Sequence, residues 1–100
     1  MATCMIVDDE PLSRDILRKY IGEVKDLELV AECPDGIEAT QQLAQQAVDI
    51  LFLDIIMPGL TGIALARSLQ NPPLIIFTTA YPEFAVDGFE LNALDYLVKP

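Results

Sequence analysis

Runs of apolar residues alternate along this chain with stretches in which apolar positions recur every third or fourth residue. That is the pattern of strands alternating with amphipathic helices. Thr3–Val7 reads as a first strand ending in Asp8-Asp9-Glu10. Pro11 then suits a first helical turn, and Leu12, Ile16, Tyr20 and Val24, with Leu17 and Ile21 beside them, form the stripe of a first helix. Its polar side carries Arg14, Asp15, Arg18, Lys19 and Glu23. Leu27–Ala31 is a second strand, closed by the turn signal Cys33-Pro34-Asp35-Gly36. Ile37, Thr40, Leu43, Ala44 and Ala47 mark the core side of a second helix.

The run Leu51-Phe52-Leu53-Asp54, followed by Ile55-Ile56-Met57-Pro58-Gly59, lacks polar alternation, as expected of a central strand buried on both faces. Ile63, Ala66 and Leu69 follow as a short third helix, then Asn71-Pro72-Pro73, then a fourth strand, Leu74–Thr78, ending at Thr79-Ala80. Tyr81-Pro82-Glu83 opens a fourth helix, weakened near its end by Gly88. Asp95–Val98 is a fifth strand, after which the sequence reads Lys99-Pro100. Strands separated by helices predict βαβ units, hence a parallel sheet with helices on both faces and a single domain over residues 1–100. A doubly wound domain adds a helix after its fifth strand. Without it, apolar sheet surface beside the first helix is expected to be exposed, favouring self-association or marginal stability.

In a parallel sheet all strand ends of one sense lie along one edge, so Asp8, Asp9, Asp54, Thr79 and Lys99 are expected to converge there, where open α/β sheets place their ligands. Taken by itself, Asp54 reads equally well as a phosphoryl-accepting nucleophile or as a turn cap. The matching acidic strand end and lysine favour the first reading. Three crowded carboxylates repel by about 4 kcal/mol per pair at 4 Å and an effective dielectric near 20, which a divalent cation relieves. Oxygen ligands without histidine or thiolate select a hard ion, and Mg²⁺ suits an open site. It would draw on Asp9 and Asp54, with Asp8 acting partly through water. The competing explanation, acidic residues favouring the start of the following helix, covers Asp8, Asp9 and Glu10 but not Asp54 and Lys99. In the phosphoryl reading Lys99 holds one phosphoryl oxygen and the Thr79 hydroxyl bonds another.

Charge narrows the partners. Sixteen acidic against six basic residues give a net charge of −10, which disfavours direct contact with nucleic acid or an acidic membrane surface. No apolar run is long enough for a spanning helix, the start lacks a basic leader, and a cytoplasmic location is expected. Cys4 and Cys33 show no metal-binding spacing and read as buried thiols rather than a disulfide.

Ile6-Val7-Asp8-Asp9-Glu10, Asp54-Ile55-Ile56-Met57-Pro58-Gly59 with Gly62, Thr79-Ala80 and Lys99-Pro100 together resemble, in order and spacing, the receiver domain of two-component response regulators. The tail from Thr79 through Phe84, Phe89 and Asn92-Ala93-Leu94-Asp95-Tyr96 to Pro100 further resembles the LytTR class, whose receivers precede a DNA-binding output domain. The resemblance implies a flavodoxin-like five-stranded sheet of order 2-1-3-4-5, and a sensor histidine kinase as phosphoryl donor. It makes Asp54 the acceptor, Asp8 and Asp9 the acidic pair, and the Ile56 backbone carbonyl a further Mg²⁺ ligand. Thr79 becomes the switch hydroxyl, and Tyr96 the aromatic that moves with it to reshape the helix 4 and strand 5 surface. It also implies a cis Lys99–Pro100 bond. Ile56 and Tyr81 fall where receivers tune hydrolysis of the acyl phosphate, and their bulk predicts a long-lived phosphoryl group. The domain promotes its own phosphorylation and dephosphorylation and is not otherwise an enzyme.

Rival readings are weaker. An Asp-nucleophile phosphohydrolase of the dehalogenase type wants an acid two residues after the nucleophile, where Ile56 stands. A flavin binder wants a hydroxyl- or glycine-rich loop where Asp8-Asp9-Glu10 would repel phosphate. A receiver-shaped module that is never phosphorylated remains as the alternative.

Overall fold

A computed structural model of the chain describes residues 1–80 and the backbone of 95–98. Five parallel strands form one sheet: β1 (Ala2–Val7), β2 (Leu27–Cys33), β3 (Ile50–Asp54), β4 (Leu74–Thr79) and β5 (Asp95–Val98), in the order β2-β1-β3-β4-β5. The helices described are α1 (Pro11–Gly22), α2 (Gly36–Gln45) and α3 (Gly62–Ser68). The expected flavodoxin-like order and all five strands are present. β2 runs two residues further than its apolar pattern suggests, and an irregularity opposite Cys4 and Met5 lets it skip Val30 in pairing with β1.

Alternation along the strands divides the core between two faces. Met5, Val7, Leu51, Leu53, Ile75 and Phe77 point toward α2 and α3, meeting Ala39, Leu65 and Ala66. Cys4, Ile6 and Phe52 point the other way and meet Ile21 of α1. Both thiols are buried and free, on opposite faces of the sheet, which accounts for the absence of a disulfide between them.

The helix faces differ from their sequence reading. On α1, Leu17 and Ile21 pack on the sheet, whereas Leu12 and Tyr20, and Val24 just beyond the helix, are exposed. On α2 the contact is made by Gly36, Ala39 and Leu43, and Ile37 is 71 % exposed. The expected apolar stripes were broader than the contact. Small residues let α2 approach the sheet closely, and bulky neighbours at the stripe's margin are left in water.

Caps fix where α2 and α3 begin. The Asp35 carboxylate accepts the Glu38 amide at 2.8 Å, and the Thr61 hydroxyl accepts that of Ala64 at 3.1 Å. At the opposite edge of the sheet, the Asp49 carboxylate accepts both the backbone N–H and the hydroxyl of Thr3, while its own carbonyl accepts the Leu74 amide. One residue thus ties the starts of β1, β3 and β4 together.

Candidate functional site: an acidic pocket at the strand ends

Asp8 follows the last residue of β1 and Asp54 is the last residue of β3, and these strands are neighbours, with Val7 opposite Leu53. Parallel register therefore sets the two carboxylates side by side, and Asp9 joins them from the start of the loop to α1. One oxygen from each of Asp8, Asp9 and Asp54 lies within 4.8 Å of the others. Asp8 is 0 % and Asp54 4 % exposed, with Asp9 half-buried. Charges so close and so poorly solvated are costly unless compensated. A donor set of three carboxylates, with neither histidine nor thiolate among them, fits a hard divalent cation.

The backbone around Asp8 is tightly held. Its N–H donates to the Cys33 carbonyl at 3.0 Å, its Oδ1 accepts the Glu10 amide at 2.9 Å, and its carbonyl accepts Nη1 of Arg14 at 2.6 Å. Arg14 also faces Glu32 at 4.0 Å, and Glu32 makes a two-pronged pair with Arg18 at 2.6 and 2.9 Å. The hydrogen bond from Arg18, with smaller contributions from the charges of Arg18 and Arg14, holds the Glu32 carboxyl below its ordinary value. The sequence reading left Arg14 and Glu32 without a role. A basic residue one helical turn after Glu10 was the available signal, but its approach to Glu32 depends on how β2 lies against α1.

After Asp54 the chain turns sharply. Gly59 adopts φ 84°, in the left-handed region, and the Gly62 amide donates to the Ile55 carbonyl at 2.7 Å. A Cβ at Gly62 would overlap the Asp54 carbonyl oxygen. This glycine brings the start of α3 directly against the backbone of the acidic residue.

Thr79 is buried at the end of β4, one residue beyond Thr78, which pairs with Asp54. Val98 of β5 pairs with Thr79, so the strand leading to Lys99 runs toward the same edge. The Ile56 side chain is 45 % exposed. Tyr81, Lys99, the side chain of Tyr96, the fourth helix and the Lys99–Pro100 bond lie outside the described residues. The geometry thus brings together Asp8, Asp9 and Asp54, and puts Thr79 on the adjoining strand.

Comparisons with known proteins agree. The model of the response regulator receiver domain matches residues 4–100. The transcriptional regulatory protein BtsR of Escherichia coli is 42 % identical over 102 residues, covering 100 % of this chain and 43 % of that protein. An uncharacterized response regulatory protein of Vibrio cholerae is 48 % identical over 102 residues, covering 98 % of this chain and 39 % of its own length. The chain spans less than half the length of these curated relatives.

Among solved structures, the response regulatory domain of mrkE from Klebsiella pneumoniae superimposes with a TM-score of 0.89 at 39 % identity, over 98 % of this chain and 83 % of that one. The response regulator TrrA of Thermotoga maritima, solved in complex with Mg²⁺ and BeF, gives 0.84 at 32 % identity, over 100 % of this chain and 88 % of that one. Sheet order, acidic strand ends and family match converge: this chain belongs to the response regulator receiver domain family, the signalling domain of two-component systems.

Proposed function

We propose that this domain is a phosphorylation switch in which Asp54 accepts a phosphoryl group from a phosphohistidine on a partner sensor kinase. The observation that carries this reading is the buried cluster of three carboxylates drawn from two strand ends, with Asp54 last on the central strand β3. Asp8, Asp9 and Asp54, with the Ile56 carbonyl, would hold Mg²⁺, which when bound neutralises developing charge on the phosphoryl oxygens. An Asp54 carboxylate oxygen forms the bond to phosphorus as the nitrogen–phosphorus bond of the donor breaks, and that electron pair returns to the imidazole. Lys99 pairs with a second phosphoryl oxygen and the Thr79 hydroxyl with a third. No side chain need shuttle a proton, consistent with a sequence lacking histidine.

Phosphorylation adds roughly −1.5 to −2 charges to an acidic pocket. Movement of Thr79 toward them, with Tyr96 filling the vacated space, changes the surface of β5 and the segment before it. That surface addresses an output domain, read here as a DNA-binding transcription regulator of the LytTR type acting in the cytoplasm; the LytTR-like tail and the similarity to the transcriptional regulatory protein BtsR support this reading. The receiver itself contacts no nucleic acid, and no described helix is long and apolar enough to cross a membrane. Bulky Ile56 and Tyr81 slow water's access to the acyl phosphate, and the domain catalyses no turnover beyond its own phosphorylation and dephosphorylation.

Intact-mass spectrometry after incubation with acetyl phosphate tests the reading. One phosphoryl adduct is expected with Mg²⁺ and none with excess EDTA. Labelling that is indifferent to the metal would refute it.

A further inference from the structure

We infer that Arg14 is a positioning residue that sets the affinity of the acidic pocket for its divalent cation, by clamping the peptide that joins Asp8 to Asp9. The inference rests on the reading that Asp8, Asp9 and Asp54 hold that cation. The Asp8 carbonyl belongs to the peptide linking the two acidic residues, so its orientation fixes how their carboxylates are spaced. β1 ends at Val7, and the carbonyl is met instead by Nη1 of Arg14 at 2.6 Å. The same residue's N–H is held from the other side by Cys33 of β2 at 3.0 Å. Asp8 is thereby pinned between α1 and β2, with its Oδ1 further fixed by the Glu10 amide.

An ordinary ion pair does not account for Arg14. Its approach to Glu32 is 4.0 Å, while Glu32 is already engaged by both prongs of Arg18 at 2.6 and 2.9 Å. The short contact of Arg14 goes to the Asp8 carbonyl, and its side chain is only 20 % exposed. Glu32 acts as a distant rest that keeps the guanidinium turned toward the loop. A planar guanidinium can face a carbonyl and a carboxylate together, which an ammonium cannot do with the same geometry.

Clamp and charge make opposite predictions. If Arg14 acted only through its positive charge, removing it would deepen the negative potential and tighten cation binding. If it acts by position, losing the fork weakens binding even when charge is kept. Groups that orient metal ligands typically account for ~10- to 100-fold in affinity.

Mn²⁺ binding, followed by the free-ion electron paramagnetic resonance signal, and Mg²⁺ by competition, are measured on wild type, Arg14→Lys and Arg14→Gln. Melting in EDTA controls for folding. Arg14→Lys is expected to weaken Mn²⁺ about tenfold, and Arg14→Gln to weaken it as well. Wild-type affinity in Arg14→Lys, or tighter binding in Arg14→Gln, overturns the clamp while leaving the pocket intact. A wild-type protein that binds no Mn²⁺ overturns the cation reading and the clamp with it. A measurement on the unmodified protein keeps the inference exposed should the variants fail to fold. Titration with Mg²⁺ is expected to shift the NMR signals of the Arg14 guanidinium together with the Asp9 amide. An Arg14 signal that stays put while Asp9 moves would contradict it.

Discussion

Two residues carry consequences out of proportion to their size. Gly62 is needed because any side chain there meets the Asp54 carbonyl oxygen, a backbone atom that cannot swing aside. Gly62→Ala is expected to cost about 3 kcal/mol, the upper end for overpacking a tight site, as measured by urea unfolding; a loss below about 0.5 kcal/mol, ordinary for a surface change, would show that the approach relaxes freely. Cys33 is the second. Burial, with smaller contributions from the charges of Glu38 and Asp35, pushes its thiol from 9.0 up to about 11. The unfolded chain then loses this proton before the folded one does. The stability Cys33 contributes is whole below pH 9.0 and drains away as pH rises toward about 11. Cys33→Ala should flatten that alkaline loss, read as the melting midpoint across this range, and an unchanged slope would exclude Cys33 as its source.

Among the elements, strands and helices were unequally legible in the sequence. The strands were found from continuous apolar runs such as Leu51–Leu53, whose burial on both faces needs no choice of side. The acidic edge followed because parallel register brings like ends together. Helix faces required deciding which apolar residues touch the sheet, and Ile37 on α2 and Leu12 on α1 show that hydrophobicity alone does not decide it. A folded protein leaves much apolar surface in water. Ala39, too small to stand out in the pattern, is fully buried. Arg14 and Glu32 escaped notice because eighteen positions separate them and only the packing of α1 on β2 unites them. The turn signal Cys33-Pro34-Asp35-Gly36 was legible, and its Asp35 caps α2. Asp35→Ala and Thr61→Ala should each cost about 1 kcal/mol, as lost helix caps do. Glu10 at the start of α1 makes no side-chain cap bond, and Glu10→Ala should fall below both in the same denaturation series.

For the whole molecule, the sheet is a device for assembling distant residues at one edge. Asp49 ties three strand starts at one end, while Asp8, Asp9 and Asp54 gather at the other. The hydrogen-bonded end of the sheet and its charged end are thus separated along the strands, and the repulsion among three carboxylates falls where a divalent cation would relieve it. The central claim is that Asp54, among sixteen acidic residues, is the one that takes the phosphoryl group. The most direct measurement is borohydride reduction of protein treated with acetyl phosphate and Mg²⁺, followed by peptide mass spectrometry, since reduction converts an aspartyl phosphate into homoserine. The account predicts homoserine at position 54 and nowhere else, with none in Asp54→Asn. Homoserine at position 8 or 9, or undiminished labelling of Asp54→Asn, would contradict it.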